Sequence, residues 1–410
     1  MDYNLEHSKS NRWFWLALAL LLVVAFAIRV VTPYLGKVQS SDPASYIGIG
    51  VNLVIGNGFT DEEVFLQKHT AWRAPLTSAV FAVCYLLSLN DQEKAIFSFL
   101  KLQQLLSVIS ILLLVLISIQ VHGDRMAALL AGALMAFHLE NIDLTKMVLS
   151  ETLFIFFELS CLLAFIFAIK KQKGVFFALA GLLACFAMLA RAALSLFLAA
   201  IALYLMYEVL FRQEKWARIV RLKQLILFVG CALIVVVPWI ARNTYYNQTL
   251  TLVTSNTGFN MYLENSGKDD VWPEMIQKSQ NEWSGLTEGQ KDKIYMKRTL
   301  GAILDGPGEY LEKIGDRLFR MIMDVGNLFV FFLIGFWALQ KKAFYVNIPV
   351  FVMLFSFVIT YALTFYSDRF CATMTPLYMI YIGFAFALII RYIIGRWGPM
   401  WMKSTMDEND

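Results

Sequence analysis

Two carboxylates and five arginines set the chemical question. Asp42 stands in Asp42-Pro43-Ala44-Ser45-Tyr46, and Glu151 in Ser150-Glu151-Thr152-Leu153-Phe154. Arg29, Arg73, Arg191, Arg242 and Arg369 each sit at the edge of an apolar run or between two of them. A charge in or beside a bilayer costs on the order of 2.5–3.5 kcal/mol on insertion scales unless it is paired or solvated. Arginine offers a planar, permanently charged fork that fits phosphate. A carboxylate beside that phosphate can take the proton of an attacking hydroxyl. Fixed cations stabilise a leaving phosphate as its charge grows. Together these residue types point to group transfer from an anionic lipid whose tail lies between helices.

Each residue also has an ordinary reading. Asp42 can cap the helix that Pro43 opens. Arg73 can snorkel from the start of an apolar run. Glu151 can flank a span, and Arg191 can pair with a buried acid. Arg242 and Arg369 can anchor span ends, and Glu158, deeper in its run, is expected to pair structurally. The position of the polar residues argues for more than anchoring. Tyr46, Asn52, Glu140, Asp143, Lys146, Asn243, Asn256, Asn260 and Glu264 fall on the same expected face as the arginines.

The elements that must position them are membrane helices. The chain has 410 residues, of which 59% are hydrophobic and 16% charged, with mean hydropathy +0.60. Soluble chains carry roughly 45–50% apolar and about 25% charged residues. A water-soluble globular protein, a disordered protein and a secreted disulfide scaffold are thereby excluded. The five cysteines lie in apolar runs without CxxC spacing and read as packing residues. The four histidines show no metal-site spacing. A net charge of +4 gives no reason to expect nucleic acid.

Apolar runs long enough to span occur at about 13–35, 74–90, 98–121, 147–169, 193–211, 224–241, 324–340, 343–366 and 371–390, with a shorter one at 175–190. Basic clusters orient them. Lys9 and Arg12, the 170–173 cluster, the run 212–223, Lys341-Lys342, and Arg391 with Arg396 all belong inside. That parity holds if 126–138 is a re-entrant or interfacial helix in the outer half. The expectation is ten crossings with both termini cytoplasmic, in a multi-pass cell-membrane protein. Two segments then lie outside, 36–73 and 242–323. In the second, Thr287 to Gln290 forms a capping-box pattern, and Pro307 opens an amphipathic helix with Leu311, Ile314, Leu318 and Ile322 on one face. Trp239, Trp272 and Trp283 suit an interfacial belt. The chain divides into a membrane module with the first outer loop (1–241), the large outer loop (242–323), the C-terminal spans (324–396) and a cytoplasmic tail (397–410). Asn247-Gln248-Thr249 is a glycosylation sequon.

The motifs resemble, in order along most of the chain, those of GT-C glycosyltransferases that use polyprenyl-phosphate sugars. Protein O-mannosyltransferases and lipid A aminoarabinose transferases are among that group. Arg29 followed by Asp42-Pro43-Ala44-Ser45-Tyr46 is similar to the family's Arg, then Asp-x-x-x-Tyr. Asn52-Leu53 with Gly56-Asn57-Gly58-Phe59 resembles N-L-x-x-G-x-G-F, and Arg73-Ala74-Pro75-Leu76 resembles R-x-P-L. Ser150 to Phe154 matches S-E-x-L-F, and Pro238 to Asn243 matches P-W-x-x-R-N. Thr257-Gly258-Phe259-Asn260 and Asp368-Arg369-Phe370 with Pro376 resemble two later segments. Where many members carry a second acidic residue, this chain has Pro43, with Glu62 and Glu63 as the other acids of that loop.

The resemblance implies an all-α polytopic GT-C-like bundle and an inverting transfer of a sugar from a polyprenyl-phosphate donor to an acceptor hydroxyl. The acceptor is a glycan, lipid or protein at the extracytoplasmic face. It implies Asp42 as catalytic base or metal-assisted acceptor binder, with Glu151 also in the active site. Arg29, Tyr46, Arg73, Arg191, Arg242, Asn243, Asn260 and Arg369 would bind donor phosphate or acceptor. A divalent cation is possible, with Asp42 a possible ligand. A transporter or lipid flippase is the competing class, but the chain shows no repeated halves and its polar residues favour one face.

Overall fold

The computed structural model describes residues 3–38, 40–61, 69–211, 214–265, 278, 283–342 and 344–397. Among them the regular structure is helical. The protein is an all-α polytopic membrane protein. Its long apolar helices are α1 (Tyr3–Val31), α4 (Gln92–His122), α7 (Glu151–Lys171), α9 (Ser195–Phe211), α10 (Lys215–Asn247), α14 (Phe329–Lys342), α15 (Phe344–Leu363) and α16 (Asp368–Trp397). Shorter apolar helices are α3 (Pro75–Leu87), α5 (Arg125–Ala136), which continues through a 59° bend into α6 (Leu139–Asp143), and α8 (Gly174–Ala190).

Which short helices run the length of the bundle is decided by the contacts at their ends. At one end of the bundle, Asp124 caps α5 by accepting from the Met126 and Ala127 amides, and it pairs with Arg391 at 2.7 Å. Lys170 donates to the Gln120 carbonyl at 2.7 Å at that same end. At the other end, the carbonyls of Met135 and Ala136, which close α5, accept from Arg29 of α1. Helix α5 therefore connects the two ends, and with α6 it forms a bent span. Helix α3 does not. It turns back on α4 through Leu89 and Asn90, both with positive φ, so that Phe81 meets Phe99 and α2 (Asp42–Val54) packs on α3. Among the described residues eight helical stretches are long and apolar enough to cross a membrane, or nine if the bent α5–α6 pair is one span. The basic end still carries Lys170, Arg221 and Arg391 together.

Two local choices make the packing close. Gly123 takes φ +73°, which ends α4 and lets Asp124 start α5 within one step. Gly181 of α8 faces the Phe228 carbonyl of α10, where an added Cβ would lie 2.1 Å from that oxygen. Small residues let membrane helices approach in this way.

At the end opposite Asp124 sits a helical unit made from the second long loop. Helices α11 (Thr257–Asn265) and α12 (Glu288–Asp305) pack on Trp72 through a buried cluster of Phe259, Trp283 and Tyr295. Thr287 and Gln290 form the expected capping box at the start of α12. Helix α13 (Pro307–Val325) follows, with Leu311, Phe319 and Met323 exposed, as an amphipathic helix lying on a membrane requires. Trp272 and the pair Glu62 and Glu63 lie outside the described residues. Asn247 of the sequon is buried, donating to the Asn243 carbonyl and accepting from the Gly289 amide at 2.8 Å.

Candidate active site

Asp42 begins α2, and Pro43 supplies the preset first-turn backbone. Its two oxygens are held by two cations from distant parts of the chain. Arg73, just before α3, donates to Oδ1 at 2.6 Å, and Arg369, in the first turn of α16, donates to Oδ2 at 2.7 Å. Arg369 also reaches Glu151 Oε1 at 2.9 Å. Glu151, wholly buried in the first turn of α7, is shared with Arg191, which closes α8, at 2.5 Å. Ser40 accepts from Arg369 and Ser150 from Arg191. Arg191 lies 4.2 Å from the Phe370 ring centre, and Arg73 lies 5.4 Å from that of Tyr46.

The cluster gains a third acid that the motifs did not flag. Ser45 donates to Asp61 and accepts from Arg73 Nε at 3.4 Å. Asp61 follows the glycine-rich Gly56 to Phe59 segment, and no spacing rule singles it out; only the folded loop brings it to Ser45. Three carboxylates (Asp42, Asp61, Glu151) thus face three arginines (Arg73, Arg191, Arg369). The balance is neutral, which a partly dry site requires. Side-chain exposures of 15% for Asp42 and Arg369, 17% for Arg73 and 12% for Arg191 leave the cations reachable from outside.

Burial alone would raise the Asp42 carboxyl. The charges and hydrogen bonds of Arg73 and Arg369 outweigh it and hold the group at about 2. A divalent cation would find a poor cage here. Both Asp42 oxygens already face guanidinium groups, and Glu151 Oε1 is shared by Arg369 and Arg191. Among the described residues no three potential ligands of the His, Cys, Asp or Glu type converge.

Other residues with the same sequence cues are placed elsewhere. Arg29 is wholly buried and donates to Ser107 at 2.8 Å and to the carbonyls of Ala25, Met135 and Ala136. It closes the carbonyl end of α5. Arg242 donates to the Thr70 carbonyl at 2.5 Å and the Phe59 carbonyl at 3.1 Å, among the rings of Phe59, Trp239 and Tyr246. Asn243 donates to the carbonyls of Leu252 and Val253. Asn260 is half-buried on α11, and no described contact joins it to the charge cluster. Tyr46 is buried beside Arg73.

An apolar cleft with a volume of about 600 Å³ opens between α5 and α16. Leu130, Ala133 and Leu134 form one wall, Met379 and Phe386 the other, and Lys37 and Glu140 stand at its rim. Lys37 is three residues from Ser40, and Arg369 begins the same helix that carries Met379.

Residues 72–241 match the family model described as dolichyl-phosphate-mannose-protein mannosyltransferase. The chain matches no curated protein. Among solved structures it is similar to the archaeal oligosaccharyltransferase AglB from Archaeoglobus fulgidus in complex with an inhibitory peptide and a dolichol-phosphate. The TM-score is 0.56 at 15% identity, over 97% of this chain and 54% of that one. The apo form of the Archaeoglobus fulgidus oligosaccharyltransferase gives a TM-score of 0.54 at 13% identity, over 96% and 54%. A third structure, its complex with Zn and sulfate, gives 0.51 at 15% identity, over 93% and 50%. The chain spans about half the length of these proteins. The likeness shows the fold: a polytopic bundle of the GT-C type, in agreement with the resemblance carried by the motifs.

Proposed function

We propose that this chain is a membrane glycosyltransferase that moves a sugar from a polyprenyl-phosphate donor to an acceptor hydroxyl with inversion at the anomeric carbon. The observation that carries the reading is the Asp42–Arg369–Glu151–Arg191 network, a base joined to exchangeable cations at one mouth of the bundle. The family match over 72–241 supports it, because that stretch contains Arg73, Glu151 and Arg191. The lipid-phosphate ligand of the archaeal neighbour supports the donor class.

In this reading the donor phosphate draws Arg369 and Arg191 away from the carboxylates. Asp42 keeps Arg73 and becomes a stronger base as one of its two cations leaves. The acceptor oxygen attacks the anomeric carbon, the bond from that carbon to the phosphate oxygen breaks, and its electron pair stays on the phosphate. The acceptor proton passes to Asp42. Arg369 and Arg191 meet a charge that grows along the reaction, so their attraction is greatest at the transition state. The cleft between α5 and α16 seats the start of the isoprenoid tail. The unit over 242–323 shapes the acceptor side, whose ligand is a glycan, lipid or protein. The basic end lies in the cytoplasm by the positive-inside rule, with both termini there and the site on the opposite face.

The test is incubation of the full chain in nanodiscs with a panel of polyprenyl-phosphate sugars and a membrane extract as acceptor. Donor consumption with release of polyprenyl phosphate and a product of inverted anomeric configuration is expected. A folded protein that consumes no donor, or a product of retained configuration, contradicts the reading.

A further inference from the structure

The charge cluster is not held by the membrane helices alone. Arg73 directly follows a short stretch, Thr70 to Trp72, and that stretch is gripped by the unit that follows α10. Glu288, the first residue of α12, is fully buried and accepts from the Ala71 amide at 2.7 Å and from Ser255 Oγ at 2.8 Å through the same oxygen. The Ser255 amide donates to the Ala71 carbonyl at 2.8 Å, so Ala71 is held at both its amide and its carbonyl. Asn256 donates to the Trp72 carbonyl at 3.1 Å, and the Trp72 ring packs on Phe259. Arg242 takes the Thr70 carbonyl.

The other side of the grip is equally well fixed. Asn247, at the end of α10, accepts from the Gly289 amide and from Thr287 Oγ1, the residues on either side of Glu288. Gly289 itself could not be larger, since a Cβ there would lie 2.7 Å from Thr251 Oγ1 and 2.9 Å from Asn247 Cβ. A continuous run of contacts therefore leads from α10 through Asn247 and Glu288 to Ala71, and two residues later to Arg73 on Asp42.

A buried carboxylate that spends its hydrogen bonds on the Ala71 amide and the side chains of Ser255 and Thr70 is a costly way to pack a loop. An apolar side chain would fill the space without the desolvation penalty. What the carboxylate adds is a charge-assisted, directional hold on a single peptide. We propose that Glu288 is a positioning residue for Asp42. By fixing the Ala71 peptide it sets Arg73 against Asp42, and it thereby makes the strength of the base depend on the docking of the 242–323 unit. The inference rests on Asp42 acting as the base. The charged and titratable groups that face Asp42 are Arg73, Arg369 and Tyr46, with Glu151 beyond Arg369; those near Glu288 are Asp61, Arg242 and Lys291.

The test compares wild type, Glu288→Ala, Glu288→Gln and Asp42→Asn as full chains in nanodiscs. Polyprenyl-phosphate hexoses serve as the donor probe, with turnover followed against pH. Displacement of a reacting group by about 1 Å costs on the order of 10²-fold, so a loss of roughly ten- to a hundredfold in kcat is expected for Glu288→Ala. Donor KM is expected to hold, and the acid limb of the pH profile to move upward as Arg73 loosens from Asp42. Glu288→Gln keeps an acceptor oxygen for the Ala71 amide and is expected to recover most of the rate and the wild-type limb. The inference is overturned if Glu288→Ala retains kcat. It is equally overturned if its loss follows the folded fraction with the acid limb unmoved. Full turnover by Asp42→Asn would instead defeat the base assignment itself, whatever Glu288 does.

Discussion

Arginines of one chain are made to do two kinds of work here. Arg29 and Arg242 are satisfied by backbone carbonyls and aromatic rings. Arg73, Arg191 and Arg369 are satisfied by carboxylates, at a mouth that stays partly open. A carbonyl is part of the main chain and cannot leave, so the first pair can only hold helices and loops together. A carboxylate can be traded for a phosphate of similar charge and geometry, so the second group can bind, release and bind again. The difference between these arginines lies in the partner and not in the residue.

The comparison is sharpest where it predicts opposite outcomes for like substitutions. Arg369→Met removes a cation that touches both Asp42 and Glu151. Loss of one fixed donor to a developing charge typically costs about 10²–10³ in rate. A drop of that size in kcat, with weakened donor binding, is expected in a turnover assay, and an unaffected rate would break the distinction. Arg29→Met instead removes the donor to the Ala136 carbonyl and to the Ser107 hydroxyl. Buried orphan groups cost about 1–3 kcal/mol each, so a lower melting temperature is expected, with the rate per folded molecule unchanged. A selective loss of rate in this variant would move Arg29 into the other group.

The exchangeable pairs also carry an acid signature. The Asp42 carboxyl is depressed from 3.8 to about 2 in the folded chain. The unfolded chain therefore binds the proton more readily, and stability rises with pH through this interval. The contribution is fully present above the unfolded value and is lost as pH falls from about 4 towards 2, amounting to roughly 2 kcal/mol. Asp42→Asn should flatten that part of the stability profile in acid denaturation, and Arg73→Met should shrink it. An unchanged acid transition in both variants would mean that the clamp does not form in solution.

Much of this was legible in the residues, and the limits are physical. Asp42, Tyr46, Arg73, Glu151, Arg191 and Arg369 were marked by type and by position at the ends of apolar runs, and the fold gathers them. Arg29, Arg242 and Asn243 carry the same marks and lie apart from the charge cluster, on backbone carbonyls. Hydropathy reports depth in a membrane but not which way around a helix a side chain points. Asp61 and Glu288 carried no mark, because their partners, Ser45 and Ala71, are found only after loops have folded. The different packing of helices α3 and α5 is not legible in the sequence for a related reason. They have 13 and 12 residues and are similarly apolar, so neither length nor hydropathy separates them. The pairing of Asp124 with Arg391 at one end of α5, and of Ala136 with Arg29 at the other, does. The amphipathic α13 and the capping box of α12 were readable because both are local.

The most direct measurement pairs donor binding with donor turnover in Asp42→Asn. The variant keeps the size of the side chain and removes the charge that receives the proton. Binding of a polyprenyl-phosphate sugar is expected to match wild type, while turnover falls by about 10²–10⁴, the usual worth of a positioned base. Turnover at the wild-type rate by the asparagine variant would contradict the account at its centre.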